Sequence, residues 1–122
     1  MHYKIDTKEK FTVLSLLDPN LSSNLVPELA QIIAKIGAKA PKNLVLNLGQ
    51  VAHWELPVIA QLADGQATFY ENNTSFVICC LSTKLENAFD ELGFLEVLNL
   101  TPTVSEASDI VMMEEIERDL GF

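Results

Sequence analysis

The chain has 122 residues, of which 48% are hydrophobic and 20% charged, so it is long and apolar enough for one ordinary domain and is not a disordered tail. Its formal net charge of −9 argues against binding to nucleic-acid phosphates and would suit a basic protein partner. No stretch is apolar for the length that a membrane span needs, and the first residues lack the apolar segment of a secretory signal, so we expect a cytoplasmic protein with no membrane span.

The N-terminal segment predicts a hairpin and then a helix. Tyr3 to Thr7 and Phe11 to Leu17 are rich in strand formers and are joined by a short polar turn, which is typical of an antiparallel pair. The next segment offers N-cap candidates and then Pro27, which fits the first turn of a helix. We expect this helix to stop at Gly37 and to bury a stripe at helical spacing, formed by Leu25, Leu29, Ile32, Ile33 and Ile36.

A second strand and helix occupy Asn43 to Asn73. Leu44 to Leu48 is apolar at all positions but one, as expected of a strand that is covered on both faces. Gly49-Gln50 predicts a tight turn, and the next helix is expected to start at Glu55-Leu56-Pro57. A buried strand that leads into a helix through a short connection is where many α/β proteins place their working residues.

The C-terminal half predicts two further strands and two helices. Phe76 to Leu81 and Val97 to Leu100 are the strands. Thr83-Lys84-Leu85-Glu86 and Thr103-Val104-Ser105-Glu106 each match a capping box, and Gly93 fits a left-handed C-cap. The final helix should point its apolar residues inward, namely Val104, Ala107, Ile110, Val111 and Ile116.

The predicted order is therefore β-β-α-β-α-β-α-β-α in a single α/β domain over residues 1–122, with a mixed sheet, an N-terminal hairpin and about four helices. Cys79 and Cys80 lie in an apolar run, where we expect reduced thiols that point to opposite faces of a strand. With few histidines and no glycine-rich phosphate loop, the sequence predicts no metal site and no cofactor.

Three local patterns occur in the same order as in a known family. They are Leu44 to Leu48 followed by Val51, then Leu92-Gly93-Phe94, and then Thr103 to Ala107. Together with the order of elements, they make the chain resemble a STAS domain, the module of bacterial anti-sigma factor antagonists. The resemblance covers nearly the whole chain and implies an α/β fold and a regulatory role.

The family signature, Asp-Ser-Ser/Thr-Gly, stands at the turn into the second helix, and its first Ser is phosphorylated by a partner kinase that is also the anti-sigma factor. At that place this chain has Glu55-Leu56-Pro57-Val58. Glu55 replaces the Asp and Leu56 replaces the phosphoacceptor Ser, so phosphorylation is chemically impossible there. Asp18 resembles the acidic position that the family often has after its second strand.

The residues around this turn leave alternatives open. Glu55 is either an N-terminal cap residue or a constant charge used in partner recognition, since the helix dipole favours an anion there. Trp54 is either a core residue or an exposed interface anchor. His53 is expected at the surface, because no nearby nucleophile or acid completes a catalytic set.

The sequence therefore predicts a protein-interaction domain that is not an enzyme. Its partner would be an anti-sigma factor and kinase or another STAS domain, and a homodimer is left open. The expected partner-binding residues are His53, Trp54, Glu55, Leu56 and Pro57. The alternative is a small-molecule or lipid-binding subunit of a signalling or transport assembly, with a pocket near the start of the second helix.

Overall fold

The computed structural model describes residues 1–95 and 98–121. Within these residues the elements follow the predicted order, with two additional short strands beside the turn into the second helix. The strands are β1 (Tyr3–Thr7), β2 (Thr12–Leu16), β3 (Asn20–Leu21), β4 (Leu44–Asn47), β5 (His53–Trp54), β6 (Phe76–Cys79) and β7 (Leu100–Thr101). The helices are α1 (Val26–Ala38), α2 (Leu56–Glu71), α3 (Thr83–Glu91) and α4 (Val104–Asp119), and a 3₁₀ turn (Ser23–Leu25) precedes α1.

The main sheet has five strands in the order β1-β2-β4-β6-β7. β1 and β2 pair antiparallel as the predicted hairpin, whereas β2, β4, β6 and β7 pair parallel. The predicted mixed α/β sheet is thus confirmed. The last strand lies later than predicted, at Leu100–Thr101, and Val97 lies outside the described residues.

The central strands are buried on both faces, as the apolar run at Leu44 to Leu48 predicted. One face packs against α1, α2 and α3, and the aromatic rings of Phe69 and Phe76 meet there edge to face at 5.2 Å. The opposite face is covered by α4, whose Ala107 and Val111 are fully buried. On the α4 side the sheet contributes Val13, Val45, Val77 and Cys79.

Most predicted helix ends are confirmed, with small shifts. The Thr103 hydroxyl accepts the Glu106 N–H at 3.1 Å as the predicted N-cap of α4. Gly93 is left-handed, with φ 77°, at the end of α3. The N-cap of α3 is Ser82 and not Thr83, because the Ser82 hydroxyl accepts the Leu85 N–H at 3.1 Å.

Gly37 does not end α1, which continues to Ala38. Its small size serves packing instead, since a Cβ at Gly37 would lie 3.1 Å from Cζ of Phe69. The predicted buried stripe of α1 is confirmed at Leu29, Ile32, Ile33 and Ile36, while Leu25 is half-buried.

Cys79 and Cys80 are both free, as expected, but they do not point to opposite faces. Cys80 follows the end of β6 with φ 68°, and the two Sγ atoms lie 3.4 Å apart. Burial, followed by the hydrogen bond from Cys80, raises the pKa of the Cys79 thiol. The alternation of side chains along a strand does not apply to this pair, because β6 ends at Cys79 and Cys80 lies beyond it.

The prediction that Ile116 points inward is wrong, because its side chain is 57% exposed. Ile116 follows the buried Val111 by five residues, which places it about 140° around the helix. The inward positions near this end of α4 are taken by Glu115 and Arg118, which are half-buried. The end of α4 thus packs against the rest of the chain through polar contacts rather than apolar ones.

Those contacts converge on Asn43, a buried residue just before β4 that is only 3% exposed. Its Nδ2 donates to the Lys10 carbonyl at 2.8 Å and to Oε1 of Glu115 at 2.6 Å. Its Oδ1 accepts the Ser75 N–H at 2.8 Å and an Arg118 Nη2 hydrogen at 3.4 Å. One amide therefore joins the starts of two other strand segments to the C-terminal helix.

Replacing Asn43 with alanine should lower the free energy of unfolding by about 2 kcal/mol or more. The reason is that the buried Ser75 N–H and the Lys10 carbonyl would each lose their hydrogen-bond partner. Urea denaturation measures this. The control is Asn87→Ala, an exposed position on α3, which should change the free energy by less than about 0.5 kcal/mol. Equal stability of the two variants would contradict the role of Asn43.

The same variant should change the pH dependence of stability. The hydrogen bond from Asn43 is the largest cause of a lowered pKa at Glu115, and Arg118 adds to it. A carboxyl with a lowered pKa in the folded state stabilises the fold above its ordinary pKa, and this contribution is lost as the pH falls through the folded value. The cost of Asn43→Ala should therefore shrink under acid conditions, and NMR titration should show the Glu115 pKa rising.

Candidate functional site

The turn after β4 lies at the carboxyl-end edge of the parallel strands, and its own polar groups fix it. Oδ1 of Asn47, the last residue of β4, accepts the Gly49 N–H at 2.8 Å. The Val51 N–H then donates to the Leu48 carbonyl at 3.0 Å, and the Val51 side chain is buried. The turn is therefore a rigid connection between the core strand and the residues that follow.

A second small sheet holds those following residues, and its two-residue strands are too short for periodicity to predict. β3 and β5 pair parallel, with Asn20 opposite His53 and Leu21 opposite Trp54. The Pro19 carbonyl accepts the N–H groups of Ala52 at 2.8 Å and of His53 at 2.9 Å. The backbone from residue 52 to residue 54 is thus tied to the loop after β2.

Asp18 fastens the start of that loop. Its carboxylate accepts the His2 backbone N–H at 2.9 Å and lies 3.1 Å from Nδ1 of His2. The backbone hydrogen bond from His2 is the main reason why the pKa of Asp18 is lowered, and the charge and side chain of His2 act in the same direction. Asp18, the acidic residue after β2, therefore connects the loop after β2 to the N-terminal residues.

Glu55 occupies the N-cap position of α2 as one alternative predicted, but its side chain does not cap that helix. Its carboxylate instead accepts the Ser23 N–H at 2.6 Å, at the start of the 3₁₀ turn before α1. Its own N–H donates to the Leu21 carbonyl at 3.0 Å. Glu55 thus ties the start of α2 to the segment that leads into α1.

Trp54 is neither a fully buried core residue nor a fully exposed interface residue. Its side chain is half-buried and packs against the main apolar core. Nζ of Lys84, in the first turn of α3, lies 6.0 Å from the centroid of the Trp54 ring, which is the outer limit for a cation–π contact. His53 is exposed.

Leu56 and Pro57 form the exposed start of α2. The Leu56 side chain is 55% exposed, and Pro57 is exposed as well. The next two residues, Val58 and Ile59, are each only 1% exposed and anchor the helix in the core. An apolar side chain therefore stands at the surface on a backbone that is held from both sides.

An apolar groove lies elsewhere on the described part of the chain. It has a volume of about 350 Å³ between β1 and the end of α1, and its lining includes Tyr3, Ile5, Ile32 and Ile36. Within residues 1–95 and 98–121, no three His, Cys, Asp or Glu side chains are grouped so that they could hold a metal ion. None of the helices described here has the length and apolar character to cross a membrane.

The family model for the STAS domain matches residues 4–107. Because the match covers most of the chain, the chain belongs to the STAS domain family. This confirms the resemblance that the sequence patterns carried. None of the curated proteins compared with the chain matches it significantly.

Solved structures share the fold at low sequence identity. An anti-sigma factor antagonist from Mycobacterium paratuberculosis is 21% identical, with a TM-score of 0.77 over 91% of this chain and 93% of its own. The Bacillus cell fate determinant SpoIIAA, in its phosphorylated form, is 12% identical, with a TM-score of 0.67 over 90% and 99%. The murine anion transporter Slc26a9 is 17% identical, with a TM-score of 0.72 over 88% of this chain and 18% of the transporter.

Replacing Glu55 with alanine should cost about 1 kcal/mol of stability and loosen the 3₁₀ turn, because the Ser23 N–H loses its charged acceptor. Hydrogen exchange should become faster at the Ser23 amide, and urea denaturation gives the energy. Glu55→Gln keeps an acceptor and should be closer to the parent chain. If the Ser23 amide exchanged at the same rate in all three chains, Glu55 would have no role as an acceptor.

Proposed function

We propose that this chain is a regulatory STAS domain that is not an enzyme and that binds a protein partner through residues 53–57, named here the docking turn. The exposed side chain of Leu56 is the observation that carries this proposal. It is an apolar residue, 55% exposed, at the first position of a helix that is anchored in the core by Val58 and Ile59. Such an arrangement offers a partner an apolar contact that needs little ordering on binding.

The surroundings of Leu56 support an interface. Apolar contacts at protein interfaces are commonly rimmed by polar groups, and aromatic residues are enriched among those that dominate binding. Here His53 and Glu55 are exposed on either side of the half-buried Trp54, and Lys84 approaches the Trp54 ring. The docking turn therefore combines an apolar centre with the Glu55 carboxylate, and the Lys84 ammonium of α3 lies beside it.

We further propose that the docking turn is not switched by phosphate at Leu56. A phosphate at the start of a helix adds nearly two negative charges, which changes the electrostatic potential of the surface that a partner contacts. Leucine has no hydroxyl to accept a phosphate, and the anion beside it, Glu55, is constant and already bound to the Ser23 N–H. Binding by the docking turn would then depend on the concentration of the partner and not on phosphorylation of the docking turn.

The partner we favour is an anti-sigma factor and kinase or another STAS domain. One structural relative is named an anti-sigma factor antagonist. The net charge of −9 would favour a basic surface on the partner. The ligand-binding alternative predicts a pocket at the start of α2. The groove between β1 and α1 lies away from that place and does not support this alternative, so we do not propose it.

Replacing Leu56 with glutamine should reduce the recovery of the partner by about tenfold or more, because central apolar anchors dominate interface energies. The measurement is a pull-down from the source cells with tagged parent and variant chains, followed by identification of the captured protein. The matched control is Ile116→Gln on α4, since Ile116 is similarly exposed, at 57% against 55% for Leu56.

Three outcomes would contradict the proposal. Equal capture of the partner by the parent chain and by Leu56→Gln would remove the docking turn from the interface, as would an equal loss in Ile116→Gln. A phosphate on Ser23 or Thr83, mapped after incubation with ATP and the captured kinase, would contradict the absence of a phosphate switch. A STAS domain that carries the signature serine controls for kinase activity in that reaction.

A further inference from the structure

β1 is an edge strand, and its pairing with β2 leaves half of its backbone groups free. Adjoining the strand, the Leu17 N–H donates to the His2 carbonyl at 2.9 Å, and the Lys8 N–H donates to the Phe11 carbonyl at 2.8 Å. In an antiparallel ladder, hydrogen-bonded pairs alternate with pairs that share no hydrogen bond. The even-numbered residues of β1 therefore direct their N–H and C=O groups towards β2.

The odd-numbered residues Tyr3, Ile5 and Thr7 then direct their N–H and C=O groups away from β2, to the open edge of the sheet. Two of their side chains are large, apolar and well exposed, with Tyr3 at 41% and Ile5 at 46%. An edge with free backbone groups beside exposed apolar side chains is a template for another strand. The charged residues of β1, Lys4 and Asp6, alternate with these apolar positions on the other face of the strand.

We propose that this edge is a homodimer surface, at which a second copy of the chain adds its own β1 antiparallel, with Ile5 opposite Ile5 of the second copy. In this register the outward groups of Tyr3, Ile5 and Thr7 meet the same groups of the second copy. They can form about six backbone hydrogen bonds, two for each hydrogen-bonded pair. The two sheets would join into one continuous sheet.

Charge selects this register over its neighbours. With Ile5 at the two-fold axis, Lys4 of each copy lies opposite Asp6 of the other, which gives two attractive cross-strand pairs. An axis at Lys4 would bring two ammonium groups together, and an axis at Asp6 would bring two carboxylates together. Within one chain Asp6 lies 3.0 Å from Nζ of Lys8, but both groups are about half exposed, so this ion pair competes weakly.

The groove beside β1 fits the same occupant. Tyr3, Ile5 and Thr7 line it on the sheet side, while Ile32 and Ile36 of α1 line the other side. A second β1 would extend the sheet under this groove and place its own Tyr3 and Ile5 next to those of the first copy. The apolar surface that β1 exposes in one chain would then lie inside the dimer.

The charge pattern provides the first test, by sedimentation velocity over a range of concentrations. The parent chain should show a monomer–dimer equilibrium. Lys4→Asp and Asp6→Lys should each raise the dimer dissociation constant by about tenfold or more, because both cross-strand pairs become repulsive. An equal mixture of the two variants should associate again, since opposite charges then face each other across the strands.

Backbone hydrogen bonding provides the second test. Ile5→Pro removes an N–H that points away from β2, so the monomer should fold, as circular dichroism would show, while the dimer is lost. Ile5→Thr keeps that N–H and should retain more association. Ile116→Gln on α4 is the control for another exposed apolar surface and should leave the dissociation constant unchanged.

A parent chain that stays monomeric at all concentrations would overturn the proposal. So would a dimer that persists in Ile5→Pro, or one that is lost in Ile116→Gln and not in the β1 variants. If the mixed charge variants fail to associate while the parent does, the register is wrong. Should Ile5→Pro fail to fold, the charge variants still decide, because they change only exposed side chains of β1.

Discussion

The fold depends on satisfying polar groups at the two ends of a strand that is buried on both faces. β4 is covered by α1 to α3 on one side and by α4 on the other, and the residue before it, Asn43, is buried as well. At one end the Asn43 amide bonds the Lys10 carbonyl, the Ser75 N–H and Glu115. At the other end the Asn47 side chain closes the turn at Gly49. At the buried Asn43 end, an unmet polar group would cost more than a typical hydrogen bond contributes.

The docking turn follows directly from the second of these ends. After Asn47 the chain turns at Gly49, and the backbone that emerges donates hydrogen bonds to the carbonyls of Pro19 and of Leu21 in β3. Glu55 completes the attachment through its carboxylate on the Ser23 N–H. The exposed side chain of Leu56 therefore follows a backbone segment that is hydrogen-bonded to the neighbouring elements.

Periodicity was enough to predict the order of elements along the chain, the hairpin and the buried stripe of α1, because these depend on which residues are apolar and pack in the core. It failed at Ile116, where apolar character argued for burial and helix geometry turned the residue outward. It also missed the contacts of Asn43 with Glu115 and Arg118, which join residues 72 and 75 positions apart. β3 and β5 have two residues each, too few to show any period, so the small sheet that holds residues 53–54 was not predictable from the sequence.

The distribution of charge distinguishes the two exposed apolar surfaces, β1 and α4, in their suitability for self-association. A net charge of −9 opposes close approach of two copies, so self-association needs a place where charges are locally balanced. β1 is such a place, since Lys4 and Asp6 flank Ile5 symmetrically. The exposed residues of α4, among them Met113 and Ile116, stand beside a series of carboxylates, namely Glu114, Glu115, Glu117 and Asp119. Two copies of that helix would repel each other, so α4 is the surface least suited to a second copy although it exposes apolar side chains.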